Sequence, residues 1–168
     1  NPHELDHTPG GSSSGSAAAV ADGMVPIAIG SQTVGSILRP AAFCGVVGFK
    51  PSFGRISRYG MLPCSRNLDH VGLFARTVSD IACLYPALSH WDVRDPDCYG
   101  QNSGTTIAQV SALANPPTLA LVRGPYWSRV DESARTALLN SAIALSNAGA
   151  VVTEITLPSR FDQYFDDV

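Results

Sequence analysis

Two serine clusters framed by glycine stand 24 residues apart, counted from Ser12 to Ser36: Gly10-Gly11-Ser12-Ser13-Ser14-Gly15-Ser16 and Gly30-Ser31-Gln32-Thr33-Val34-Gly35-Ser36. Glycine and serine beside a helix start gather backbone N–H groups and hydroxyls at one point, which suits an anion or an oxyanion. A serine hydroxyl is a weak nucleophile at neutral pH and needs a base within hydrogen-bond reach. A second serine between nucleophile and base can relay the proton. A lysine can act as such a base only if burial or nearby cationic groups lower its pKa. Between the clusters lie the small-residue run Ala17-Ala18-Ala19-Val20-Ala21 and the apolar run Met24-Val25-Pro26-Ile27-Ala28-Ile29. Two polar clusters joined by a compact helix–strand unit imply one site built from both.

Three blocks, TPGGSSSGSAAAVADG from Thr8, GSQTVGSILRPAAFCGVVGFKPSFGRISRYG from Gly30 and LDHVGLFARTVSD from Leu68, resemble the amidase signature family, serine hydrolases that cut amide bonds. The resemblance covers about half the chain, and the first two blocks, in this order and spacing, carry most of its specificity. It implies a Ser–Ser–Lys triad, with the nucleophile at Ser36 and the bridging serine at Ser12, whose peptide bond is cis in the family. It also implies an oxyanion hole made by the backbone N–H groups of Thr33, Val34, Gly35 and Ser36. Losing one such donor typically costs about 10²–10³ in rate. Ser13, Gln32 and Arg39 are supporting candidates; Arg39 either faces substrate or ties down the loop.

The chain departs from the common family form at Gln32, where an acidic residue is usual, at Val34, usually glycine, and at Ser14, frequently glycine. A β-branched residue tolerates positive φ poorly, so either Val34 keeps a negative φ or the oxyanion hole is altered. The family's catalytic lysine lies several tens of residues before the first serine block, and so ahead of Asn1. The single lysine present, Lys50, matches a structural part of the pattern. Asn1 to Asp6 reads as mid-domain loop and Arg160 to Val168 as the start of a helix. Residues 1–168 are therefore expected to be an internal piece of a single amidase signature domain, truncated at both ends and inactive alone.

Composition points to an ordinary globular domain: 168 residues, 45% hydrophobic, 15% charged, net charge −3. Nothing in that charge balance favours nucleic acid. No apolar run approaches the length of a membrane span, and no signal peptide is visible, so a cytoplasmic setting is expected. Cys44, Cys64, Cys83 and Cys98 show neither C-x-x-C nor metal-ligand spacing, and Cys44 reads as a buried thiol packing as a small hydrophobe. The expected chemistry calls for no metal or cofactor. The expected partner is a small-molecule amide, with a homo-oligomer left open and no nucleic acid or membrane.

The elements that must position these groups read as follows. Ser13–Asp22 is a helix closed by Gly23, and Val25–Ile29 a buried strand. Val46–Phe49 is a second short strand, and Pro51–Gly54 and Arg58–Gly60 are loops. Thr77–Leu88 is a helix with Thr77 as N-cap and Asp80 completing something close to a capping box. Asp92–Pro117 reads as loop. Thr118–Val122, the amphipathic helix Asp131–Asn147 (apolar at Ala134, Leu138, Ile143 and Leu145) and Val151–Leu157 form a βαβ unit, which implies parallel strands. The expected fold is α/β, a layered α/β/α sandwich with a mixed, partly parallel central sheet.

Other readings of the glycine–serine run fit less well. Gly11-Ser12-Ser13-Ser14-Gly15 matches G-x-S-x-G with Ser13 as nucleophile, but that motif needs a hydrophobic strand before it, and Glu4 to Pro9 are polar. No Gly-Lys-Ser/Thr follows to make a phosphate loop. A flexible linker would not run straight into a strong helix former. His3, His7 and His70 form no catalytic constellation. The expected function is hydrolysis of an amide to a carboxylate plus ammonia or amine through a Ser36 acyl-enzyme. The alternatives are the A subunit of a glutamine-dependent aminoacyl-tRNA amidotransferase and a non-catalytic homologue.

Overall fold

The computed structural model describes residues 1–99 and 115–161, in two compact units divided between Val110 and Ser111. The first unit runs α1 (Ser14–Ala21), β1 (Ile27–Gln32), α2 (Leu38–Phe43), β2 (Val47–Phe49), β3 (His70–Ala75) and α3 (Val78–Leu88). Helix α1 follows from its alanines, and Gly23, at φ 80°, ends it. The N–H groups of Gly23 and Met24 turn back onto the carbonyls of Val20 and Ala19, a Schellman closure. Arg76 adds a cation at that end, donating from Nη1 to the Val20 and Val25 carbonyls.

The sheet order is β1-β3-β2, with both neighbours antiparallel to the central β3. Side chains alternate across β3, so it feeds two cores. Phe74 packs with Ala17, Val20, Ile37, Ala41 and Cys44 from the α1 and α2 side. Leu73 and Ala75 pack with Ile81 of α3, flanked by Phe49 and Tyr85. Helices thus cover both faces, giving three layers within this unit. Thr77 caps α3 as expected: its hydroxyl accepts from the Asp80 N–H at 3.1 Å and donates to the Asp80 carboxylate at 2.7 Å.

The second unit is the expected βαβ: β4 (Thr118–Val122), α4 (Glu132–Asn147) and β5 (Val151–Ile155), with β4 and β5 parallel and Thr118 opposite Val151. Gly149, at φ 99°, separates helix from strand. Short 3₁₀ turns lie at Trp127–Arg129 and Ser159–Phe161.

Several expectations need correction. The first strand is shifted, Ile27–Gln32 instead of Val25–Ile29, and Ile29 is 53% exposed. Its ends are set by pairing with β3 (Ile27 opposite Ala75, Gln32 opposite His70), not by the apolar run. The α/β fold with mixed, partly parallel pairing stands, antiparallel in the first unit and parallel in the second. On α4 the half-buried positions are Arg135, Leu139 and Ala142, spaced i, i+4, i+7; Leu138, Ile143 and Leu145 stay exposed. Strand β3 and helix α2 are not among the elements expected from the sequence. The segment Asp92–Tyr99 is loop as expected, whereas residues 100–114 and 162–168 lie outside the described residues; of the helix expected from Arg160 onward, Arg160 and Phe161 fall in the 3₁₀ turn and the rest is outside.

Candidate active site

Strand β1 runs into the second serine block, so Gly30, Ser31 and Gln32 are strand residues and Thr33–Ser36 form the loop leading to α2. The first serine block is the approach to α1, which packs on β1. Close approach is possible because Gly30 has no side chain: a Cβ there would sit 2.7 Å from Ser13 Oγ and 2.8 Å from the Phe74 ring. Ser13 uses that proximity. Its hydroxyl donates to the Ser31 carbonyl at 3.0 Å and accepts from the Ser31 N–H at 3.1 Å.

Ser12 is held between two tethers, both reaching the second block. Ahead of it, Arg39 Nε donates to the Gly11 carbonyl at 3.0 Å. Behind it, the Ser13 N–H donates to the Ser36 carbonyl at 3.2 Å. The Gly11–Ser12 peptide is cis, as the resemblance implied. The structure therefore brings the two serine blocks together, with Arg39 bonded between them. Ser12 lines an open cleft of about 560 Å³, with Ser13, Ser16, Ser31, Tyr59 and Met61 among its walls. Among the described residues, the hydroxyls of Ser12 and Ser36 make no hydrogen bond.

The loop before Ser36 is fixed from two sides. Gln32 is only 5% exposed. Its Oε1 accepts from the N–H groups of Ile37 (2.9 Å) and Leu38 (3.0 Å), and its Nε2 donates to the Val34 carbonyl at 3.1 Å. A trans peptide is planar, with C=O and N–H pointing opposite ways, so holding the Val34 carbonyl on Gln32 turns the Gly35 N–H to the other side. On the other flank the Thr33 hydroxyl donates to Asp69 Oδ1 at 2.6 Å. Among the described residues, the N–H groups of Thr33, Val34, Gly35 and Ser36 donate to no other group, leaving four consecutive donors open.

Asp69 is the residue the sequence reading missed. It is 3% exposed, and its Oδ2 accepts from the N–H groups of Cys64 (2.7 Å) and Ser65 (2.8 Å). Burial pushes its pKa up, but the Thr33 hydroxyl, the two N–H groups and nearby Arg58 outweigh burial and hold it below the usual aspartate value. It stands in the LDHVG block, one residue before the strand that pairs with β1, and only that pairing brings it to Thr33.

Other candidates lie elsewhere. Lys50 Nζ donates to the Pro51 carbonyl at 2.7 Å and lines a separate cavity of about 370 Å³ with Phe49, Arg55 and Tyr85. His3 Nε2 bonds the Cys44 carbonyl, and His70 Nδ1 bonds the Leu68 carbonyl while its ring meets Phe53 edge-on. Cys44 is fully buried, and burial raises its thiol pKa. Among the described residues no helix is long and apolar enough to cross a membrane.

The Amidase family model matches residues 1–165. The A subunit of the glutamyl-tRNA(Gln) amidotransferase of Bacillus thuringiensis (strain Al Hakam) is 42% identical over 158 residues, covering 94% of this chain and 33% of that protein. The crystal structure of the corresponding A subunit of glutamyl-tRNA(Gln) amidotransferase from Thermotoga maritima superposes with a TM-score of 0.87 at 35% identity, over 94% of this chain and 35% of that one. A 6-aminohexanoate cyclic dimer hydrolase superposes at 0.83 with 36% identity, over 92% and 33%. The chain spans about a third of the length of the curated relatives it matches. With its family model matched almost end to end, the chain belongs to the amidase family, the amidase signature enzymes.

Proposed function

We propose that this chain carries the two-serine half of an amide-hydrolysing site, with Ser36 as nucleophile and Ser12 as proton relay. One observation carries the reading: Ser12 lies between two tethers to the second block, beside a loop whose four N–H groups are open. Ser36 Oγ attacks the amide carbonyl carbon, and its proton passes through Ser12 to a base. The base is a lysine supplied from outside residues 1–168, since Lys50 is held on Pro51. The carbonyl oxygen takes the negative charge against the N–H groups of Thr33, Val34, Gly35 and Ser36. Collapse breaks the C–N bond, the leaving nitrogen takes the proton back through Ser12, and an ester on Ser36 remains. Water then cleaves the ester to the carboxylate and free Ser36. No metal or cofactor enters these steps.

We further propose that residues 1–168 are part of one amidase signature domain acting on a small-molecule amide. The four free thiols, two of them buried, favour a reducing, cytoplasmic setting. A second reading, the ammonia-supplying component of an amidotransferase, is favoured by the 42% identity to a protein of that kind. The departures at Gln32 and Val34 favour a standalone hydrolase.

The test uses the full-length enzyme on a panel of small amides, alone and with co-purified partners. Ser36→Ala abolishes the acyl-enzyme and Ser12→Ala slows its formation severely. Undiminished turnover by Ser36→Ala sinks the proposal. Ammonia release that depends on partner proteins and tRNA selects the second reading.

A further inference from the structure

Asp69 and Thr33 come from blocks 36 residues apart, yet the strand register makes them neighbours. In the β1–β3 ladder Gln32 stands opposite His70, so the next pair outward is Thr33 and Asp69. The contact between them is a charge-assisted hydrogen bond of 2.6 Å, in the range of the strong ones. The carboxylate is itself immobilised, because Oδ2 accepts two backbone N–H groups from the turn at Cys64–Ser65. Behind it, Arg58 Nη1 donates to the Asp69 carbonyl at 3.4 Å, and Arg58 Nη2 reaches the Asp97 carboxylate at 2.6 Å. Thr33 thus hangs from a buried, doubly anchored acceptor.

That anchoring bears on the four open N–H groups. An oxyanion donor is effective when its direction is fixed before reaction, so no reorganisation accompanies the chemistry. Gln32 fixes the Val34–Gly35 peptide from the strand side. Among the described residues, the start of the loop has a single side-chain fastening, the Thr33 hydroxyl on Asp69. Without it, Thr33 can rotate about its backbone and carry the first donors of the loop with it.

We propose that Asp69 is a positioning residue for the reaction, acting through Thr33 to aim the N–H groups of the 33–36 loop at the developing oxyanion. This rests on the assignment of Ser36 as nucleophile. Asp69 touches no reacting atom.

The experiment measures kcat and KM for amide hydrolysis by the full-length enzyme, normalised to active sites titrated with a fluorophosphonate for the variants that keep Ser36 and to folded protein concentration for Ser36→Ala. The set is Thr33→Val, Thr33→Ser, Asp69→Asn, the Thr33→Val/Asp69→Asn double variant and Ser36→Ala. Thr33→Val should lower kcat about 10- to 100-fold and move KM less than about threefold, because the lost interaction serves the transition state. Thr33→Ser keeps the hydroxyl and should recover kcat to within about threefold of the parent. The double variant should fall no further than the worse single, as expected of two residues acting in series. If Asp69→Asn does not fold, the Thr33→Val and Thr33→Ser pair decides alone. A parental kcat in Thr33→Val, with Ser36→Ala inactive, overturns the inference and leaves the nucleophile assignment standing. Multiplying effects in the double variant overturn it equally. An active Ser36→Ala removes the nucleophile assignment and the inference with it.

Discussion

Replacing Gln32 by alanine removes three hydrogen bonds from a side chain that is 5% exposed. Their worth differs. The Ile37 N–H belongs to a residue with no exposed surface, so it loses its partner with no water to replace it, at about 1–3 kcal/mol. The Leu38 N–H is part-buried and loses roughly 0.5–1.5 kcal/mol. Val34 is 67% exposed, so water takes over at its carbonyl. Gln32→Ala should therefore destabilise the full-length enzyme by about 2–4 kcal/mol, read from urea unfolding midpoints. Gln32→Glu separates stability from function. A carboxylate still accepts from Ile37 and Leu38, and those charge-assisted bonds offset much of its burial, so stability should fall by no more than about 1 kcal/mol. The glutamate has no donor for the Val34 carbonyl, however, and sets oxygen against oxygen where the present bond is 3.1 Å. The Val34–Gly35 peptide should turn, and kcat should drop at least about tenfold. The reasoning is refuted if Gln32→Ala unfolds within about 0.5 kcal/mol of the parent, or if Gln32→Glu is the less stable of the two.

Two further outcomes follow from the same region. Gly30→Ala places a Cβ 2.7 Å from Ser13 Oγ and 2.8 Å from Phe74, so it should cost about 1–3 kcal/mol by overpacking and displace Ser13, slowing fluorophosphonate labelling. Asp69 has a folded pKa held below its unfolded value of about 3.9, so its contribution to stability is complete above roughly pH 4 and lost as the pH falls through the depressed value. Unfolding midpoints measured from about pH 6 to about pH 2.5 should show a steeper acid decline in the parent than in Asp69→Asn; parallel curves would contradict the assignment of that carboxylate.

Local signals in the sequence were sufficient where the structure is local. The Thr77–Asp80 cap, the Gly23 and Gly149 stops and the βαβ connection depend on residues close in sequence, and each formed where expected. The proximity of the two serine blocks was also legible, because both flank one helix–strand unit. Helix α2 was hidden because its cap is not a nearby serine or aspartate but Gln32, reaching forward from the preceding strand to Ile37 and Leu38. Strand β3 was hidden because its partners come from before residue 50, with no short hairpin turn to announce the pairing. The same long-range register conceals Asp69: nothing near Leu68 in the sequence says that Thr33 lies opposite. Hydrophobicity alone does not mark the half-buried face of α4, because Arg135, whose chain carries both an aliphatic stem and a guanidinium, takes one of its positions.

The central claim is that Ser36, approached through Ser12, is the nucleophile of an amide hydrolase. The most direct measurement treats the folded, full-length enzyme with a fluorophosphonate, digests it and locates the added mass. The account predicts one phosphonyl group per chain on Ser36, with labelling slowed by Ser12→Ala and absent in Ser36→Ala. A label on Ser12 or Ser13, or none on an enzyme that turns over amides, contradicts it.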